Sequence, residues 1–305
     1  MNTLRSPVNS EEFEKYFQLR WQVLRKPWQQ VQGSEQDELE LQALHRMIID
    51  DNQQVLAVGR LEKSDHQQGQ IRYMAVCETV QGQGFGQQII KELEKQASQL
   101  GFTQLLLNAR ENALNFYQKL GYQKQGYSHT LFDDIKHYKM TKTINMHRSH
   151  DQLAAQNLQN VWHQTIPLSK AMNIQISYFD GEQLMTHCDS EFNKNLHNTM
   201  FAGSIYTLAT LTGWGWIYLT LQSLPPSIDG NIVLAEGNIR YHKPIKGLTY
   251  AKVVAENVSG ELEDLALGKS AHVELVAQVY CGENTAATFK GRYVVLPKNK
   301  GRCEK

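Results

Sequence analysis

The octapeptide Val80–Gln87, V-Q-G-Q-G-F-G-Q, stands between an apolar run and a run with helical spacing, and its reading decides the fold of the first half of the chain. Its glycines fall at Gly82, Gly84 and Gly86. A dinucleotide loop needs G-x-G-x-x-G, but position 87 is Gln87. A nucleoside-triphosphate loop needs four residues between its glycines and then Gly-Lys, and no lysine follows the loop before Lys91. What remains is Q-x-x-G-x-G, formed by Gln81, Gly84 and Gly86. Glycines let successive backbone N–H groups turn toward one anion, and a helix N-terminus adds about half a positive charge. A pyrophosphate fits that geometry. An ordinary strand-to-helix turn would show the same glycines.

On the N-terminal side, GQIRYMAV places Ile71, Tyr73 and Ala75 on one face and reads as a strand running to the glycines. On the other side Ile89, Ile90, Leu93, Ala97 and Leu100 recur at helical spacing, with Gly101 placed to end the helix. FTQLLLNA reads as a buried strand, and ENALNFYQKLGY as a short helix stopped by Gly121. Further upstream, Asn9 and Ser10 are N-cap candidates for a helix with Phe13 and Phe17 on its aromatic face, which ends before Pro27. WQQVQGSEQDELELQ reads as a polar loop and an acidic helix, QQVLAVGRLE as a strand and DHQQGQ as a turn. Strand, glycine turn, helix, strand, helix is an α/β unit.

Thr141 to His150 are polar and aperiodic, which suits a linker. Domains are expected at 1–142 and 151–305, joined by residues 143–150. The second opens with a helix, DQLAAQNLQNVW, and a strand around IQISYF. From Thr199 to Ile228 no charged residue appears, long enough to span a bilayer. The segment is rich in Thr, Ser and Gly, closes on Pro225-Pro226 and lacks a basic flank, so a helix wrapped by a sheet is the preferred reading. Three strand-like runs follow: IVLAEGNIRYHKPI, LTYAKVVAENV and SAHVELVAQVYCGENTAATFKGRYVVLP. One buried helix followed by an antiparallel meander is an α+β pattern.

The totals narrow the function classes. A chain of 305 residues suggests two domains, and 41% hydrophobic against 20% charged content describes an ordinary globular protein. Lys+Arg and Asp+Glu both number 31, with no basic cluster, so nucleic acid is not an expected partner. Cys77, Cys188, Cys281 and Cys303 form no CxxC pair, which points to free thiols and no metal site. The N-terminus has no apolar signal core, so a cytoplasmic location is expected.

The run RYMAVCETVQGQGFGQQII, followed about thirty residues later by ENALNFYQKLGY, resembles the GNAT acetyltransferases, whose signature is a strand, a Q/R-x-x-G-x-G/A loop and an A-x-x-x-Y helix. The likeness covers roughly residues 1–140. It implies acetyl-CoA as co-substrate, with Gln81, Gly82, Gln83, Gly84, Phe85, Gly86 and Gln87 holding the pyrophosphate. It also implies that the backbone of Met74, Ala75 and Val76 pairs with pantetheine, and that Tyr117 protonates the departing thiolate. Packing beside Phe116 is the plainer role for Tyr117. Arg110 stands where the family often has Asn, and neither Glu78 nor the strand before it names a general base.

NLHNTMFAGSIYTLATLTGW and the later IRYHKPIKG resemble the hot-dog fold, in particular the thioesterase-like domain of YiiD-type proteins, over residues 151–297. The resemblance implies a homodimer or larger assembly, with acyl-CoA or acyl carrier protein as partner. Ala202, Gly203 and Ser204, at the helix N-terminus, would then face the thioester carbonyl, with Asn195 and His197 orienting a thioester or a water. A helix cap and a surface histidine are the plainer alternatives for those two. Thr199 to Leu221 holds no acid, so hydrolysis would need Asp189, Glu191 or Glu236 from a flanking segment, and Trp214 and Trp216 read as core. The expected function is acyl transfer from acetyl-CoA to a small-molecule or carrier-protein acceptor, fused to a domain that hydrolyses or holds thioesters. The alternative is a non-catalytic acyl-CoA-binding regulator.

Overall fold

Asn9 accepts the Glu12 N–H at 3.0 Å and starts α1 (Ser10–Leu24), as the sequence expects. A computed structural model describes residues 2–65, 67–144, 150–225 and 228–298 of the chain, which divides into two compact units, 1–146 and 147–305.

The first unit is one sheet. Its strands are β1 (Thr3–Arg5), β2 (Leu44–Ile49), β3 (Val55–Asp65), β4 (Gln68–Val76), β5 (Gln104–Arg110), β6 (Gln123–Leu131) and β7 (Ile135–Thr143), in the order β1-β2-β3-β4-β5-β7-β6. All neighbours are antiparallel except β4 and β5, which α2 (Phe85–Gln99) connects as a crossover. α2 buries Ile89, Ile90 and Leu93 completely on its apolar stripe. α3 (Leu114–Lys119) follows β5.

Three sequence expectations change here. The alternation in β4 breaks at Tyr73, which has φ +53°, because two residues there face one residue, Gly59, across a β-bulge. A Cβ at Gly59 would lie 2.5 Å from Met74 Sδ and 2.6 Å from Ile89 Cγ2, so only glycine lets the bulge seat against α2. The acidic helix is absent: residues 28–42 form turns and short 3-10 segments. Their acids serve instead as counterions to buried arginines. Asp37 and Glu40 lie 2.7 Å and 2.8 Å from Arg60, and Glu40 also pairs with Arg20 at 2.9 Å. Finally, β7 runs through Thr143, so the polar stretch from Thr141 begins as strand; residues 145–149 lie outside the described residues and α4 (His150–Thr165) starts beyond them.

The second unit wraps one sheet around α6 (Ala202–Ser223), with α4 and α5 (Pro167–Ala171) beside it. Strand order is β10 (Gly230–Tyr241), β14 (Asn284–Pro297), β13 (Ala271–Cys281), β11 (Thr249–Val254), β9 (Gln183–His187), β8 (Gln175–Phe179), with the short β12 (Val258–Ser259) paired to β13. All pairings are antiparallel, but this is not a meander: β10 pairs with β14 at the chain's far end. The last strand-like run is two strands, turning at Gly282 with φ +57°.

α6 is apolar nearly all round because the sheet surrounds it. Three of its hydroxyls are satisfied within the helix: Thr207, Thr212 and Thr220 donate to carbonyls one turn back, and Thr186 meets Thr212 at 2.6 Å. Gly215 lets Trp162 approach, since a Cβ there would meet the indole at 2.7 Å. No helix among the described residues is long and apolar enough to cross a membrane. Cys77, Cys188 and Cys281 form no disulfide among the described residues, and Cys303 lies outside them.

Candidate functional site

β4 and β5 pair only at Gln68–Gln70 with Gln104–Leu106, and beyond Gln70 the two strands part. The Cys77 N–H donates to Leu56 of β3 at 2.8 Å, so by strand alternation Val76 and Met74 turn their N–H groups the other way, into the gap. A cavity of about 660 Å³ fills this opening. Met74, Ala75 and Val76 form one wall, and Leu107, Asn108 and Ala109 of β5 the other.

The glycine turn closes one end. Gly82 and Gly84 have φ +78° and +87°, a region that disfavours any side chain, and open space surrounds both. Gly84 is the N-cap of α2 and offers no side-chain acceptor, and no acid lies in the first turn. The N–H groups of Phe85, Gly86 and Gln87 therefore keep no intrahelical partner and supply donors for an anion. Gln81 folds back, its amide donating to Val76 O at 3.3 Å. Gln81, Gly82, Gly84, Phe85, Gly86 and Gln87 all line the cavity, whereas Gln83 is exposed and does not.

Tyr117, on α3, also lines the cavity and is 8% exposed, with its ring edge-on to Phe116 at 4.9 Å. Burial raises its hydroxyl pKa well above the ordinary phenol value, with Arg110 pulling the other way. The phenol is thus protonated at any working pH. The same side chain thus both packs on Phe116 and faces the cavity.

Sequence reasoning did not bring Arg25, His129 and His137 to this cleft, although all three line it. His137 and His129 stack at 4.8 Å across β7 and β6. His137 Nδ1 lies 2.9 Å from Ile135 O, which obliges that nitrogen to donate and leaves Nε2 as the acceptor in the neutral ring. Burial lowers the His137 pKa, and His129, Arg110 and Arg25 add to the effect. Glu78 is exposed in a 3-10 turn.

In the second unit, the N-terminus of α6 has no side-chain cap; Ala202 is exposed, and Gly203 and Ser204 are half-buried. Asn195 does not reach that turn. Its Oδ1 accepts the His197 and Thr199 N–H groups and its Nδ2 donates to the Thr199 hydroxyl, so the side chain shapes the loop before the helix. His197 is exposed. Asp189 is buried, Glu191 pairs with Lys194, and Glu236 pairs with Arg292. Trp216 lies in the core, and Trp214 packs against it while donating to Ile232 O at 3.1 Å. Among the described residues no cluster of His, Cys, Asp and Glu could hold a metal.

Residues 20–144 match the family described as "Acetyltransferase (GNAT) domain". A relative from Bacillus subtilis (strain 168), "Uncharacterized N-acetyltransferase YjcF", is 31% identical over 134 residues, which span 44% of this chain and 94% of the relative. The chain belongs to the GNAT acetyltransferases. To its GNAT unit is joined a thioesterase-like hot-dog unit: residues 155–297 match the family described as "Putative thioesterase (yiiD_Cterm)". A second relative of the GNAT unit, "Uncharacterized protein YyaT" of the same organism, is 32% identical over 108 residues, 35% of this chain and 71% of its own. A solved structure from Shewanella oneidensis, described as a "putative thioesterase", is 40% identical, covers 48% of this chain and 99% of its own, and superposes with a TM-score of 0.45.

Proposed function

We propose that the GNAT unit transfers an acetyl group from acetyl-CoA to an amine, and that the hot-dog unit binds or hydrolyses thioesters of coenzyme A or acyl carrier protein. The observation that carries the first half is the convergence on one cleft of the β4 edge beyond its pairing with β5, a helix N-terminus behind two left-handed glycines, and a buried, protonated Tyr117.

In this reading the orphan amides of α2 hold the pyrophosphate, and Val76 and Met74 pair with pantetheine, laying the thioester along β4. The amine nitrogen attacks the thioester carbonyl and the C–S bond breaks. The departing thiolate takes the Tyr117 proton, because the dry site that raises the phenol pKa raises the thiol's as well. His137 Nε2, neutral and without a protein partner among the described residues, is the candidate to receive the amine proton. Ala202, Gly203 and Ser204 would hold a thioester carbonyl in the hot-dog unit, and a cytoplasmic homodimer belongs to the same reading.

One observation favours holding over hydrolysis in the second unit: α6 carries no acid along its length. The test is release of coenzyme A thiol by the full chain from acetyl-CoA and longer acyl-CoAs, with and without amines. Tyr117→Phe is expected to keep its affinity for coenzyme A and to lose about 10²-fold or more in amine-dependent turnover. Full activity in that variant would refute the proton-donor role. Release that needs no amine and survives Tyr117→Phe would assign hydrolysis to the hot-dog unit.

A further inference from the structure

Every other arginine among described residues 2–144 has a carboxylate partner: Arg5 with Glu12, Arg20 with Glu40, Arg46 with Glu92, Arg60 with Asp37, and Arg72 with Asp37 and Glu62. Arg25 and Arg110 have none, and both line the cleft. They are neighbours, since Arg25 donates to Leu24 O at 3.1 Å and Arg110 donates to the same oxygen at 3.4 Å. No Asp or Glu lines the cavity. The acid nearest to Arg25 in effect, Glu35, has its oxygens engaged by the Gly33 N–H and the Gln36 amide.

Two half-buried like charges without a counterion are an arrangement that desolvation and mutual repulsion both oppose. Burial lowers the pKa of each guanidinium, and Arg25 lowers that of Arg110 further. The α1 C-terminal carbonyl offsets this only in part, with about half a charge spread over the last turn. Aromatic rings fix the two heads in place: Arg110 lies 4.5 Å from the Trp28 ring and Arg25 5.6 Å from Phe132. Arg110 spends one long hydrogen bond on the protein, so most of its planar fork is unused.

The pair lies with His129 and His137, on side chains from the C-cap of α1 and from β5, β6 and β7, whereas the glycine turn belongs to the β4–α2 junction. Taking the GNAT unit as an amine acetyltransferase, we infer that Arg25 and Arg110 form an anion subsite that holds a carboxylate or phosphate carried by the acceptor amine. A fork-to-oxyanion contact positions the amine by its far end and excludes uncharged amines, which would leave the two cations unpaired.

The full chain is assayed for thiol release from acetyl-CoA with amines of equal length ending in a carboxylate, a phosphate or an uncharged amide. Turnover is expected with an anionic class, and which class responds distinguishes carboxylate from phosphate. Arg110→Gln is expected to raise the acceptor KM about 10- to 100-fold, as loss of a charge-assisted contact does, with the acetyl-CoA KM unchanged. Equal turnover of the uncharged amine, or an unchanged acceptor KM, overturns the subsite. A second measurement needs no turnover. With coenzyme A saturating the glycine turn, inorganic phosphate at constant ionic strength raises the Tm of the parent chain and not of the Arg25→Gln/Arg110→Gln variant. The same rise in both overturns the subsite. Absent turnover of every amine with the phosphate effect retained sinks the transferase reading alone.

Discussion

At Gly84 the backbone sits at φ +87° with nothing within 4 Å of where a Cβ would stand. Gly84→Ala therefore strains the turn without a clash. It costs about 1–2 kcal/mol in a left-handed conformation, and because the turn can relax to avoid it, the loss falls on the ligand-ready shape. The expected result is a rise of about 5- to 30-fold in the acetyl-CoA KM with an unchanged Tm, read by steady-state kinetics and thermal unfolding. The glycine turn was legible in the sequence because local backbone geometry alone demands glycine there. Arg25, His129 and His137 were not. Arg25 follows the end of α1 and meets Arg110 at the Leu24 carbonyl, while His129 and His137 come from β6 and β7, which the sheet order β5-β7-β6 brings beside Arg110. Tyr117 was named through the resemblance to the GNAT A-x-x-x-Y helix, and its burial required the packed structure.

Helices were read correctly wherever their apolar spacing was strong, as in α2, or where the segment lacked charge altogether, as in α6. Pairing was harder. Strands show their existence in sequence but not their neighbours, so the β10–β14 pair, closed across the length of the second unit, looked like part of a meander. The bulge at Tyr73 was hidden for a related reason: it depends on Gly59, which belongs to another strand. The acidic segment misled because Asp37 and Glu40 have helix-compatible neighbours, while their partners Arg20 and Arg60 lie far away in sequence. For α6, the close approach of Trp162 to Gly215 gives a direct test. Gly215→Ala adds helix propensity worth about 1 kcal/mol, but the new methyl meets an indole that is fully buried and has nowhere to move. A net destabilisation of about 1–2 kcal/mol is expected, visible as a lower Tm of the hot-dog unit with acetyl-CoA binding unchanged.

Each unit carries its own core, and the GNAT unit adds a buried charge network. Burial alone would push the Asp37 carboxyl pKa up, but the hydrogen bond and charge of Arg60 outweigh it and hold it well below the ordinary 3.8; Glu40 is lowered in the same way, with Arg20 as its first partner. A carboxylate whose pKa is depressed by folding contributes stability in full above its unfolded value and loses it as the pH falls through the range below. The GNAT unit should therefore weaken as pH drops below about 4, and Asp37→Asn should be less stable at pH 7 with a shallower acid dependence, both measured by denaturant unfolding at several pH values. The parting of β4 from β5 has one more consequence, for isotope exchange. The Val76 and Met74 amides, placed on the gap side by strand alternation, lie beyond the β4–β5 pairing that ends at Gln70, so in heavy water they should trade hydrogen for deuterium quickly, unlike Ala75 on the side paired with Val58. Bound coenzyme A should slow that trade at Met74 and Val76 and leave Ala75 unchanged, so that the rates at successive residues of one strand would trace where the ligand's arm lies.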